Sequence, residues 1–198
     1  MSEPKTKEKL VQAALDLFSQ KGYAATGVDE IAESIGIKGP NIYKYFKGKE
    51  AFLDEISVMA DQAYNERMSL SKDSVISIET AEELKAFSLS QLKFTIEDET
   101  VRKMRRFCTI EQFRDERISR QATEHQYENM LNLYTAVFKK LMESGRMKKG
   151  DPELLALEYF TPASILIQLA DRDEKKIPEI MEKIEKYIDH FISEYLNG

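Results

Sequence analysis

Two short apolar periodicities meet at Gly36, and that junction limits the fold more than any other feature of the chain. Val28, Ile31, Ala32 and Ile35 share one helix face, and Ile37, Ile42 and Phe46 put an apolar face on a second helix. Neither element is long enough to bury its face alone. Gly36 permits a sharp turn between them, so the two must cross closely and share a third partner. That partner precedes them: Leu10, Ala13, Ala14, Leu17 and Phe18 follow the i, i+3, i+4, i+7, i+8 spacing of an amphipathic helix. Thr6 is its expected N-cap and Gly22 its C-terminal cap. Thr26 followed by Asp29 reads as a capping box with Asp in place of Glu, and Pro40 fits only in the first turn of the third helix. The expectation is a trihelical unit whose third helix turns Lys38, Asn41, Lys44 and Tyr45 away from the core.

The remaining chain also reads as helix. Glycine (8) and proline (5) are scarce in 198 residues, which favours long uninterrupted helices over a turn-rich β fold. Gly48 opens a helix on which Phe52, Ile56, Met59, Ala60, Ala63 and Tyr64 share a side, running to about Met68; residues 71–78 read as a loop. Thr80 and Glu83 form a capping box ahead of Leu84, Phe87, Leu92 and Ile96. Val101, Met104, Phe107, Cys108 and Phe113 mark a shorter element. Tyr127, Met130, Leu131, Tyr134, Val137, Phe138 and Leu141 mark a long helix that stops near Gly145. Asp151-Pro152 starts an apolar helix over residues 154–170, and Ile180, Ile184, Tyr187, Ile188, Phe191 and Tyr195 face one side of a last one. The fold class expected is all-α, with an N-terminal helix-turn-helix domain over residues 1–48 and a larger helical domain over residues 49–198.

Charge and composition narrow the function. The chain carries a net −6, unevenly spread. Residues 1–50 hold 8 lysines against 7 acids, and four lysines with no acid fall between Lys38 and Lys49. One edge of the N-terminal unit can therefore be positive on an otherwise acidic protein. A single cysteine, Cys108, excludes an intramolecular disulfide. The opening residues MSEPKTKEKL have no apolar core of a signal peptide, and the most apolar run contains Glu158, Pro162 and Gln168, so a cytoplasmic protein without a membrane span is expected. Two histidines far apart, with no glycine-rich phosphate loop, cysteine-rich metal cluster or nucleophile elbow, argue against an enzyme and against a cofactor.

A helix-turn-helix whose second helix carries Lys38, Asn41, Tyr43, Lys44 and Tyr45, followed by Lys47 and Lys49, is suited to the DNA major groove. Gly22, Thr26, Ile31-Ala32, Gly36, the stretch Ile42-Tyr43-Lys44-Tyr45-Phe46 and Lys49-Glu50 together resemble, in fixed register, the tetracycline-repressor (TetR) family of bacterial transcriptional regulators. The resemblance covers about the first 55 residues; beyond them it rests on helix order and on Asp151-Pro152, Ala156, Tyr159-Phe160 and Pro162. It implies a homodimer on palindromic double-stranded operator DNA. Gly39, Pro40, Asn41, Lys44 and Tyr45 would face bases, while Lys38, Tyr43 and Lys49 would hold phosphates. Those residue types fit: Asn pairs with adenine, Lys with guanine, and Tyr or Lys positions the helix on the backbone. Gly27 and Gly48 depart from the hydroxyl residues common in the family at those places.

The resemblance also implies a small-molecule effector, apolar or aromatic, taken up by the C-terminal domain. Candidate lining residues are Phe87, Met104, Phe107, Phe113, Tyr127, Met130, Tyr134 and Phe160, although any helical core shows the same stripe. The apolar helix over residues 154–170 and the broad face of the last helix exceed what one subunit can cover. Leu155, Tyr159, Ile165, Tyr187, Phe191 and Tyr195 are the candidates for an isologous interface. The competing reading is a helical protein–protein adaptor with a degenerate DNA motif.

Overall fold

The computed structural model describes residues 3–76 and 78–197, with side chains over residues 5–63 and 78–197. Among the described residues ten α-helices follow in order: α1 (Glu3–Lys21), α2 (Val28–Ser34), α3 (Gly39–Ile42), α4 (Glu50–Ile76), α5 (Ala81–Glu97), α6 (Glu99–Glu111), α7 (Glu116–Thr123), α8 (Asn129–Glu143), α9 (Pro152–Arg172) and α10 (Ile177–Tyr195). A π-helical turn (Glu124–Glu128) joins α7 to α8, and a 3-10 turn (Glu174–Lys176) precedes α10. No strand occurs among the described residues beyond one isolated bridge between Met147 and Leu196. No described helix is long and apolar enough to cross a membrane.

Several boundaries follow from local chemistry. Thr80 Oγ1 accepts from the Glu83 N–H at 3.2 Å, and the Glu83 carboxylate accepts from the Thr80 and Glu79 N–H groups at 3.0 and 2.7 Å. This reciprocal cap satisfies donors at the start of α5 that the helix itself leaves free. Asp151 does the same for α9 through the N–H groups of Glu153 (3.0 Å) and Leu154 (3.2 Å). Gly22 and Gly36 adopt φ of +82° and +76°, the left-handed region that lets each helix stop and the chain reverse.

Other boundaries differ from the sequence expectation. Thr6 is not an N-cap, because α1 begins at Glu3 and Thr6 is buried within it. Thr26 does not cap α2 either: Gly27 holds that position, and the Glu30 carboxylate accepts from its N–H at 3.5 Å. α4 continues through Ile76, so residues 71–76 are helix and not loop; Ser77 and the side chains of Tyr64 and Met68 lie outside the described residues. α3 is a single turn, prolonged to Phe46 only by turn hydrogen bonds such as Tyr45 N–H to Ile42 O (2.9 Å) and Phe46 N–H to Ile42 O (3.0 Å).

Two compact units result, and they do not divide at residue 48. The first comprises residues 1–65 and 99–121, the second residues 66–98 and 122–198. In the first, Leu10, Ala14, Leu15, Phe18, Ile31, Ala32, Ile42, Phe46, Phe52 and Ile56 share a core with Met104, Phe107 and Ile118. α6 packs on α1, with Phe107 stacked on Phe18 (5.7 Å between centroids) and Lys103 paired with Asp16 at 2.7 Å. Helix periodicity predicted that α6 has an apolar face; it could not say which core the face joins.

In the second unit α8 packs along α9, and α9 also meets α5 and α10. Tyr134, Phe138, Tyr159 and Phe191 form a continuous aromatic cluster with centroid separations of 4.6–6.0 Å. At its centre the Tyr159 hydroxyl donates to Ser88 Oγ at 2.9 Å, and Ser88 Oγ meets the Tyr134 hydroxyl at 3.2 Å. Burial of these phenols pushes Tyr134 up to about 12 and Tyr159 well above its ordinary value, so both remain neutral.

Candidate nucleic-acid interface

The reading element is built on α2 and the single turn of α3. Ile31, Ala32, Ile42 and Phe46 anchor it in the core of the first unit, and Phe46 stacks on Phe52 of α4 at 3.9 Å. Fixing those four positions leaves most of the intervening polar side chains on the outside. Lys38, Pro40, Asn41, Tyr43, Lys44 and Lys47 are exposed, Tyr43 by 59 %. No carboxylate falls between Lys38 and Lys49 in the sequence, so this surface can offer amide, phenol and ammonium donors to a polyanion.

Three of the expected contact residues are differently employed. Gly39 is half-buried because α2 comes close there: a Cβ on Gly39 would stand 2.1 Å from Asp29 Oδ1 and 2.9 Å from its Cγ. The glycine therefore leaves room for the Asp29 side chain of α2. Tyr45 is only partly exposed and packs against the core, which limits its reach outward. Lys49 points inward. Its ammonium donates to the carbonyls of Tyr23 (2.7 Å), Thr26 (2.8 Å) and Ala24 (3.4 Å) and lies 4.3 Å from the centre of the Tyr23 ring. An ammonium has three hydrogens, and all are taken up, so Lys49 is not a free phosphate anchor in this structure.

The start of α2 carries acid. Asp29 is exposed, and Glu30 is paired with Lys21 at 2.5 Å, a contact that lowers its carboxyl below the ordinary range. Glu111, at the end of α6, is 4 % exposed and accepts from the Tyr23 N–H at 2.8 Å, with Arg114 3.6 Å away. Nothing in the sequence pattern marks Glu111, since a carboxylate on a helix face ordinarily points to water.

The remaining candidates scatter. Phe87, Tyr134 and Phe160 are buried in the second unit, Met130 packs beside them, and Tyr127 reaches Phe160 edge-on at 6.1 Å while 45 % exposed. Met104 and Phe107 belong to the core of the first unit, and Phe113 is 90 % exposed in the turn after α6. Of the six interface candidates, Leu155, Tyr159 and Phe191 are buried in their own unit. Tyr187 and Tyr195 bind α9 within the chain, donating to the Glu158 carbonyl (2.5 Å) and carboxylate (3.2 and 3.3 Å) respectively. Only Ile165 stays exposed, in company with Leu154, Leu157 and Leu169.

Comparison with known proteins fits this geometry. Residues 10–56 match the family model described as bacterial regulatory proteins, tetR family. YttP of Bacillus subtilis, a probable HTH-type transcriptional regulator, is 32 % identical over 79 residues, covering 40 % of this chain and 38 % of that protein. IcaR, the negative transcriptional regulator of the biofilm operon icaADBC in Staphylococcus aureus, is 39 % identical over 49 residues, 25 % of this chain and 26 % of that protein. The matched stretches thus span less than two-fifths of either relative. Among solved structures, SmeT, the repressor of the Stenotrophomonas maltophilia multidrug efflux pump SmeDEF, superposes with a TM-score of 0.69 at 16 % identity, over 96 % of this chain and 90 % of that one. SmeT is also known in complex with triclosan. At that identity the likeness is one of fold.

Proposed function

We propose that this chain, a tetR-family protein by its N-terminal segment, is a DNA-binding transcriptional regulator, a ligand-responsive repressor that grips a palindromic operator as a homodimer. The observation that carries the reading is the exposed face of Lys38, Pro40, Asn41, Tyr43, Lys44 and Lys47 on an element held rigidly from behind by Ile42 and Phe46. Asn41 and Lys44 are the base readers, and Lys38 and Tyr43 the phosphate contacts. A regulator of this kind has no catalytic role. An adaptor with a degenerate motif would have no reason to keep five solvent-facing donors within one turn and its flanks.

The dimer reading rests on α9. At 100° per residue Leu154, Leu157, Thr161, Ile165 and Leu169 fall within roughly 120° of arc, all exposed, with the exposed Glu158 and Gln168 on the same arc. An isologous partner would cover such a stripe. The effector reading rests on the second unit, where neutral hydroxyls of Ser88, Tyr134 and Tyr159 stand among Phe87, Phe160 and Met130. That chemistry suits an apolar or aromatic molecule with a hydrogen-bonding group. Such a ligand would release the operator only to the extent that it binds the DNA-free state more tightly.

The test is the salt dependence of binding to a fluorescein-labelled mixed-sequence duplex. Replacing Lys38 with Ala should weaken binding and lower the slope of log K against log salt by about 0.9. Asn41→Ala should leave that slope unchanged and relax base preference at one operator position, by about 1–3 kcal/mol. If neither replacement alters DNA binding, the docking face is wrong.

A further inference from the structure

We propose that Lys49 is a positioning residue for DNA reading: it gathers the carbonyls of the turn after α1 and thereby fixes where α2 begins, and it does not hold a phosphate. The inference rests on the DNA-binding reading above and departs from the role that register alone assigns to this lysine.

The turn has an unusual polarity. Gly22 leaves α1 in the left-handed region, Thr26 Oγ1 donates back to Gly22 O at 2.9 Å, and the Thr26 N–H donates to Tyr23 O at 3.2 Å. This compact loop directs the carbonyls of Tyr23, Ala24 and Thr26 toward one point. Three converging carbonyl oxygens repel one another unless a cation sits among them. Lys49 supplies it, and the electron-rich face of the Tyr23 ring completes the enclosure. Withdrawing the ammonium to reach a phosphate would leave Tyr23 O with the Thr26 N–H as its donor and would remove the lysine donor from the Ala24 and Thr26 oxygens.

The grip has a second side. Tyr23 accepts from Lys49 through its carbonyl and donates through its N–H to the buried Glu111 carboxylate. Both backbone polar groups of Tyr23 are therefore held, one from the residue preceding α4 and one from the end of α6. Gly22 is tightly enclosed at the same place, because a Cβ there would stand 2.9 Å from Glu111 Oε1. One residue beyond Thr26 comes Gly27, the first residue of the α2 cap. The start of α2, and with it the α3 turn that packs on it, is thus referred to Lys49 through a single peptide unit.

Two measurements decide the matter. In protein labelled with 15N at the lysine side chains, a carbonyl-held ammonium exchanges slowly with water and gives a resolved signal near neutral pH. One such signal should be present in the free protein, vanish in Lys49→Met, and stay unmoved when the mixed-sequence duplex is added. A signal that appears only with DNA would overturn the proposal. On an operator recovered by selection, Lys49→Met should lose about tenfold in affinity or more with an unaltered salt slope, whereas Lys38→Met should lower the slope by about 0.9. A matching drop in slope for Lys49→Met would make it a phosphate contact. A wild-type protein that binds neither duplex would refute the DNA reading itself, while the ammonium signal in the free protein still judges the clamp.

Discussion

The Tyr187 hydroxyl donates to the Glu158 carbonyl at 2.5 Å, and Pro162 is the reason that the carbonyl is available. In a regular helix Glu158 O would accept from the N–H four residues on, but proline has none. α9 therefore carries an internal vacancy, which α10 fills from 29 positions away in sequence. Tyr195 adds a hydrogen bond to the carboxylate of the same glutamate. Proximity to that carboxylate and partial burial together push the Tyr187 phenol up to about 12, burial being the larger cause.

A double-mutant cycle isolates this pairing. Tyr187→Phe should destabilise the protein by about 1 kcal/mol, because the carbonyl loses its donor. In a Pro162→Ala background the helix supplies its own N–H, so the same change should cost markedly less. Urea denaturation of the four proteins gives the coupling. Equal costs in both backgrounds would mean that Tyr187 contributes only packing.

Gly39 offers a second cycle. Gly39→Ala must displace the Asp29 side chain, and a cost of about 1 kcal/mol is expected. Because Asp29 Oδ1 is the atom in the way, Asp29→Ala should remove most of that penalty while changing little alone. If the penalty persists in the double variant, backbone conformation and not Asp29 demands the glycine.

How far the sequence alone could lead is clear from these contacts. Caps whose partners lie within three residues were legible: Thr80 with Glu83, and Asp151 with the first turn of α9, match expectation because local geometry decides them. Thr6 and Thr26 carry the same helix-start chemistry but are buried, and Thr26 turns its hydroxyl to Gly22, a choice made by tertiary packing. The apolar faces of α6 and α10 were visible, yet Phe107 joins Phe18 and Tyr187 joins Glu158 through partners remote in sequence. Charge was least legible. Lys49 and Glu111 look like solvent-facing residues in the sequence, and both are bound at Tyr23 instead.

Alkaline pH should destabilise the first unit through Cys108. Burial pushes its thiol up to about 11 from an ordinary 9.0. Between those values the folded protein keeps a proton that the unfolded chain has lost, so stability should fall as pH rises, by at most about 1.4 kcal/mol per pH unit from this group. Below about pH 8.5 the contribution is constant. Cys108→Ala should flatten the decline in urea-derived stability from about pH 9 to about pH 11. An unflattened profile would mean that the thiol is not protected.

The α9 stripe makes a prediction about assembly. Leu157→Asp or Ile165→Asp would place a carboxylate on the leucine and isoleucine stripe left exposed on one chain, Ile165 near its middle and Leu157 at its edge. Sedimentation equilibrium at micromolar concentration should give twice the chain mass for the parent and a single chain mass for either variant. A parent that is already monomeric would contradict the interface.

The most direct test of the account is selection of bound fragments from a pool of random duplex DNA. The exposed face of Lys38, Asn41, Tyr43 and Lys44, presented twice by a symmetric dimer, predicts an inverted repeat with half-site centres about 34–36 Å apart or a multiple of that spacing. It also predicts that Asn41→Ala alters the preferred base at one position in each half-site. Recovery of fragments without any shared inverted repeat, or no enrichment at all, would contradict it.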